Sequence, residues 1–120
     1  MLERLVTAEL LDLPGRRVDS ITFDYRITVT LDDGSWVIWE LPFPYTSAAG
    51  SGTIDPEIAG SDATGLIQLL ATLHTAVSRA EITGDGALVV EFDGGLVCTA
   101  PASNGPEAWS AYVASSGARY

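Results

Sequence analysis

The sequence predicts an α+β fold: an antiparallel β-sheet made from two repeated strand-hairpin units, in the order βββ-α-βββ plus a C-terminal hairpin, with one main helix packed on the sheet. Three observations carry this expectation. Runs such as Arg26 to Leu31 alternate, with Ile27, Val29 and Leu31 on one side and Thr28 and Thr30 on the other. Leu66, Leu69, Leu70, Leu73, Ala76, Val77 and Ala80 recur at helical spacing. The pattern Ile21-Thr22-x-Asp24-x-x-Ile27-x-Val29-x-Leu31-Asp32 returns as Ile82-Thr83-x-Asp85-x-x-Leu88-x-Val90-x-Phe92-Asp93, offset by 61 (82 − 21).

Leucines at 2, 5, 10, 11 and 13 predict a short N-terminal helix that Pro14-Gly15 breaks. Arg17 to Phe23 and Arg26 to Leu31 read as half-buried strands. Asp33-Gly34 then marks a tight turn into a third strand, 36–41, and Pro42 and Pro44 are expected to end the sheet. The Ser, Ala and Gly residues of 46–53 predict a mobile loop, and Asp55-Pro56-Glu57 a single helical turn. The main helix is expected to start near Ser61-Asp62 and to end near Arg79, whose charge would complement the helix dipole.

The second unit repeats the strands from Ile82, meets its own turn at Asp93-Gly94, and ends in a strand over 96–100. The copies differ by one residue at the turn, so their third strands need not present matching faces. In the tail, Trp109 reads as a core plug and Ala111 to Tyr120 as a last hairpin cut short. A shortened hairpin leaves an edge strand open for a partner or for a homodimer. With 120 residues, one domain accommodates all of these elements.

Sixteen acidic residues stand against six arginines and no lysine, for a formal charge of −10. That field repels phosphate backbones and argues against a nucleic-acid partner. It would speed encounter with a basic protein. The start Met1-Leu2-Glu3-Arg4 lacks the basic, then unbroken apolar, pattern of a secretory signal, and no window of the chain has membrane-spanning character. A cytoplasmic location is expected. Cys98 follows Leu96 and Val97 in an apolar run and reads as a core residue.

His74, the one histidine, falls inside the expected helix, and no other histidine or cysteine stands at metal-ligand spacing from it. No nucleophile elbow or phosphate-cradling glycine loop is present, so a non-enzymatic protein without a cofactor is expected. The informative cluster is instead aromatic. Trp36 and Ile38 share one face of a strand while Val37, Trp39 and Leu41 share the other, so the two tryptophans cannot enter one core. One of them is a candidate anchor for a protein interface. The expected partner-binding set is Trp36, Trp39, Glu40, Phe43 and Tyr45, with Asp32 and Asp33 in the adjoining turn. A small-molecule-binding module or a homo-oligomeric scaffold is the alternative, in which the same aromatics line a pocket or a subunit contact.

Leu13-x-Gly15-x-x-Val18, Phe23-Asp24-Tyr25-Arg26, the Asp-Gly turns, Asp55-Pro56-Glu57, Leu69-Leu70-x-x-Leu73-x-x-x-Val77 and Glu107-Ala108-Trp109 together span most of the chain. With these residues the sequence resembles a family of small actinobacterial proteins of unassigned function, with features close to those of immunity proteins encoded beside secreted toxins. The resemblance implies an acidic domain that blocks a basic toxin, with carboxylates standing in for phosphates. It assigns no catalytic residue to any position.

Overall fold

The computed structural model describes residues 8–57, 63–102 and 107–120. These residues form eleven strands and one helix, and the strands make two antiparallel sheets. The five-stranded sheet contains β2 (Val18–Phe23), β3 (Ile27–Leu31), β4 (Trp36–Trp39), β10 (Trp109–Val113) and β11 (Ala118–Arg119), in the order β11-β10-β4-β3-β2. The six-stranded sheet contains β1 (Glu9–Leu10), β5 (Phe43–Ser47), β6 (Gly50–Ile54), β7 (Val77–Ile82), β8 (Leu88–Phe92) and β9 (Val97–Ala100), in the order β1-β7-β8-β9-β5-β6. Each sheet turns alternate residues inward, and Val29, Val37 and Trp39 from one join Leu88, Val90 and Cys98 from the other in a single core.

This corrects the α+β expectation: the core lies between two sheets and not under a main helix. Helix α1 is only Ala63–Leu70, eight residues. Such a helix is about 12 Å long, whereas six strands about 4.8 Å apart span roughly 24 Å, so it cannot cover a sheet. The helical spacing failed beyond Leu70 because the chain turns at 71–74 and His74 adopts a positive φ of 68°, after which Val77 and Ala80 serve as inward residues of β7. Valine and alanine three residues apart satisfy a helix or a bulged strand equally, and here the opposite sheet decided the matter. His74 therefore lies in a turn and not within a helix. The proposed start of that helix, Ser61-Asp62, lies outside the described residues.

Other expectations also change. Residues 46–53, read as a loop, belong to the β5–β6 hairpin, which pairs Phe43 with Ile54 and Ser47 with Gly50 around a two-residue turn. Ser47 fixes that turn: its Oγ accepts from the Ala49 N–H at 3.1 Å and donates to the Gly50 carbonyl at 3.3 Å. Pro44 lies inside β5 instead of ending the sheet. Glu9 and Leu10 pair with β7 where a short helix was expected, and residues 1–7 lie outside the described part.

The two halves of the chain have matching architectures. Strands β2-β3-β4 and β7-β8-β9 are both antiparallel meanders, and both carry a register shift in the first strand, between Val18 and Ser20 and between Val77 and Arg79. The pairs Ile27↔Trp39 and Leu88↔Ala100 stand at the same place in each meander, so the third strands present matching faces after all. Gly34 and Gly95 close equivalent turns, with φ of 92° and 97°. The hairpin that follows each meander then crosses to the other sheet: β5–β6 pairs onto β9, and β10–β11 onto β4. Neither sheet is complete without a hairpin from the other half. The halves are also joined at the Arg17↔Ala76 bridge, where Val18 N–H donates to the Thr75 carbonyl at 2.8 Å and Val77 N–H to the Arg16 carbonyl at 2.9 Å.

Candidate functional site

The structure divides the expected partner-binding set between the core and the surface. Trp39 and Phe43 are fully buried and Tyr45 is 2% exposed. Trp39 ends β4 in one sheet and Phe43 begins β5 in the other, and their rings stack at 4.8 Å and 23° where the chain crosses over. Burial of three large aromatics is one of the larger stabilising contributions available to a chain of this size. Tyr45 also faces the helix, since a Cβ on Gly65 would lie 2.6 Å from its ring. These three aromatics hold the sandwich together and are not available to a partner.

Trp36 points the other way. It is half-buried on the outer face of the five-stranded sheet, in a cross-strand row Arg119, Tyr112, Trp36, Thr30. The Trp36 and Tyr112 rings are 5.9 Å apart and tilted by 30°. The Arg119 guanidinium lies over both, 5.8 Å from the Trp36 ring and 5.2 Å from that of Tyr112. A cation this close to two ring faces is drawn by their quadrupoles. The next row, Ser110, Ile38, Thr28, extends the face with small and apolar side chains. Sequence reasoning missed Tyr112 and Arg119. The signal was the alternation of Ser110 and Tyr112 with Ala111 and Val113, but nothing local says that β10 pairs with β4.

Asp32, Asp33 and Glu40 are exposed. Asp33 belongs to its turn: it accepts from the Ser35 N–H at 2.9 Å and from Arg16 Nε at 2.8 Å. Burial pushes the Asp33 carboxyl up, but the hydrogen bonds from Ser35 and Arg16 outweigh it and hold the carboxyl below its ordinary value. Asp32 accepts from the Arg17 N–H at 3.3 Å. Glu40 follows β4, with its N–H donated to the Ala108 carbonyl at 2.9 Å. The structure thus brings Trp36 together with Tyr112 and Arg119, while the two aspartates mark the turn at one end of β4 and Glu40 the other end.

The outer face of the six-stranded sheet differs in kind. Where the five-stranded sheet has Trp36 beside Thr30, the equivalent positions are Val97 beside Glu91. Arg79 is clasped there between Glu91, at 2.6 Å, and Glu81. Arg79 is thus neutralised, with one carboxylate in excess, whereas Arg119 makes no ion pair among the described residues. An open groove of about 450 Å³ runs between Leu10, Asp12 and Pro14 on one side and Ser78 and Arg79 on the other. Among the described residues its one cation is the same neutralised Arg79. Cys98 is fully buried, and burial pushes its thiol up, which fits its reading as a core residue. Among the described residues no helix is long and apolar enough to cross a membrane.

A family model described as a family of unknown function (DUF6188) matches residues 10–118. No curated protein and no solved structure matches the chain.

Proposed function

We propose, for a chain that belongs to the DUF6188 family of proteins of unknown function, that it is a non-enzymatic protein-binding domain whose contact face is the outer side of the five-stranded sheet, centred on Trp36, Tyr112 and Arg119. The observation that carries this reading is the contrast between the two sheets. Trp36, Tyr112 and Arg119 stand where the other sheet has Val97, Thr46 and Ser51, and that sheet carries instead an Arg79–Glu81–Glu91 ion cluster, whereas Arg119 has no ion pair among the described residues. Tryptophan, tyrosine and arginine are the residues that most often anchor protein interfaces. The net charge of the whole chain, −10, favours encounter with a basic partner. A toxin neutralised by its cognate immunity protein is the instance of such a partner that the sequence resemblance implies.

The test is affinity capture with the wild-type chain and with Trp36→Ala and Tyr112→Ala as baits, each first checked for native circular dichroism. A single protein retained by the wild type and weakened by at least tenfold in both variants, about 1.4 kcal/mol, supports the reading. Equal retention by folded variants refutes it.

A further inference from the structure

Among the described residues the longest edge strand is uncovered, although its counterpart in the other half is not. The outer edge of β7 is taken by Glu9 and Leu10, and Leu11 continues along it by donating its N–H to the Ala80 carbonyl at 2.9 Å. Leu11 thereby becomes 3% exposed. The equivalent edge is β2, where Ile21, Thr22 and Phe23 stand for Ala80, Glu81 and Ile82, because residues 83–87 make a longer turn than residues 24–26 and the match of Ile21 with Ile82 expected from the sequence does not hold before it. No strand pairs with it among the described residues.

The reason is visible in the chain. The residues that would repeat Glu9–Leu11 in the second half are Gln68, Leu69 and Leu70, and they are wound into α1. Their backbone groups bond within that helix and its exit turn, as in Thr72 N–H to the Leu69 carbonyl at 3.0 Å and Leu73 N–H to the Leu70 carbonyl at 3.2 Å. The other edges are less available. Strands β1 and β11 have two residues each, and α1 packs against β6.

The direction of the free groups follows from the hairpin. Asp24 N–H donates to the Arg26 carbonyl at 3.0 Å, so Asp24 and Thr22 face β3, and by alternation Ile21 and Phe23 turn their N–H and carbonyl groups outward. Both side chains are only partly buried against the core. The register shift near Val18 limits regular pairing to this three-residue stretch. Leu73 and Leu70 are 41% and 52% exposed, and the residue after Leu73 donates its N–H to the Val18 carbonyl at 2.8 Å, so an apolar strip adjoins the open edge.

We infer that the edge of β2 is a docking site for an extended, positively charged segment of a partner protein, which adds as a sixth strand to the five-stranded sheet. This rests on the protein-binding reading and names how the partner is held. The covered edge supplies the template: an apolar residue opposite Ile21, as Leu11 lies beside Ala80. Charge supplies the rest. Asp19 is exposed and has no ion pair among the described residues, whereas Asp24, at the other end of the stretch, pairs with Arg26 at 3.3 Å. A second copy in the same place would set β2 against β2, bringing the unpaired Asp19 of each chain onto one edge and joining two chains of charge −10. A basic segment meets neither obstacle.

The probe is the capped hexapeptide Arg-Val-Thr-Leu-Arg-Arg, with a control carrying Glu for every Arg, and the readout is amide hydrogen exchange. In the free protein the Ile21 and Phe23 amides exchange rapidly. The basic peptide protects both by roughly tenfold or more, less so at high salt, and the effect falls in Asp19→Lys. Trp36→Ala retains it, so failure of the outer-face reading and failure of the edge reading are separate results. Protection already present in the free monomer overturns the inference, because another part of the chain then covers the edge. Protection that appears only with dimers in sedimentation makes the second copy the occupant and overturns it too, as does equal protection by the acidic peptide.

Discussion

Gly15 and His74 occupy the same position in the two halves of the molecule. The Gly15 N–H donates to the Val77 carbonyl and the His74 N–H to the Val18 carbonyl, each at 2.8 Å, and both residues have positive φ, 86° and 68°. Glycine adopts that conformation without steric cost, whereas a residue with a Cβ gives up roughly 1–2 kcal/mol.

His74→Gly should therefore stabilise the protein by about 0.5–1 kcal/mol, the strain relief less the added entropy of glycine in the unfolded chain. Gly15→Ala should destabilise by a similar or larger amount. Urea unfolding midpoints check both. A lower midpoint for His74→Gly would mean that the exposed imidazole contributes more than the strain it imposes.

Gly65 reverses the usual rule for helices. Alanine is favoured over glycine in a helix by about 1 kcal/mol. Here the new Cβ would lie 2.6 Å from the Tyr45 ring and 2.9 Å from Ile54, both of them buried in the core. Gly65→Ala should cost about 1–3 kcal/mol net, as overpacked cores do. Thermal unfolding measures it, and an unchanged or raised Tm would show that the helix shifts freely away from β5 and β6.

Ser35 is fully buried, and its Oγ accepts the Ala114 N–H at 2.9 Å, tying the β3–β4 turn to the β10–β11 turn. Ser35→Ala leaves that amide without its acceptor and should cost about 1–3 kcal/mol. Ser35→Thr keeps the hydroxyl and should recover part of the loss. If the two variants unfold at the same denaturant concentration, the hydrogen bond is not what holds the turns together.

The Asp33 carboxyl is held below its ordinary value of 3.8, so the folded state binds this proton less readily than the unfolded chain. The stability it contributes is present above the unfolded value and is lost as pH falls through the lower, folded one. Asp33→Asn should weaken the protein near pH 7 and flatten the acid limb of its stability curve. Chemical denaturation at a series of pH values from 7 downward tests this. Parallel curves for the two proteins would show that Asp33 is not a linked group.

The strands were legible wherever one face is dry and the other wet. Ile27, Val29 and Leu31 point inward and Thr28 and Thr30 outward, as their alternation requires. The turn aspartates and glycines were legible for the same local reason. The stretch from Leu66 to Ala80 was not, because its spacing suits either period and only the neighbouring sheet selects between them. The aromatic cluster was half legible. Alternation separates Trp36 from Trp39, but which of them meets water depends on which face the second sheet covers.

From the sequence alone came the elements whose cause is local: alternating strands, the Asp-Gly turns, the resemblance between the two halves, and a strongly acidic charge. The tertiary structure alone decided that the meanders lie in different sheets, that each half gives its hairpin to the other, and that Tyr112 and Arg119 join Trp36. Those contacts link residues tens of positions apart, and they form because two sheets with one apolar face each bury them against one another. A strand's own residues set which side is apolar, but not which strand will lie beside it.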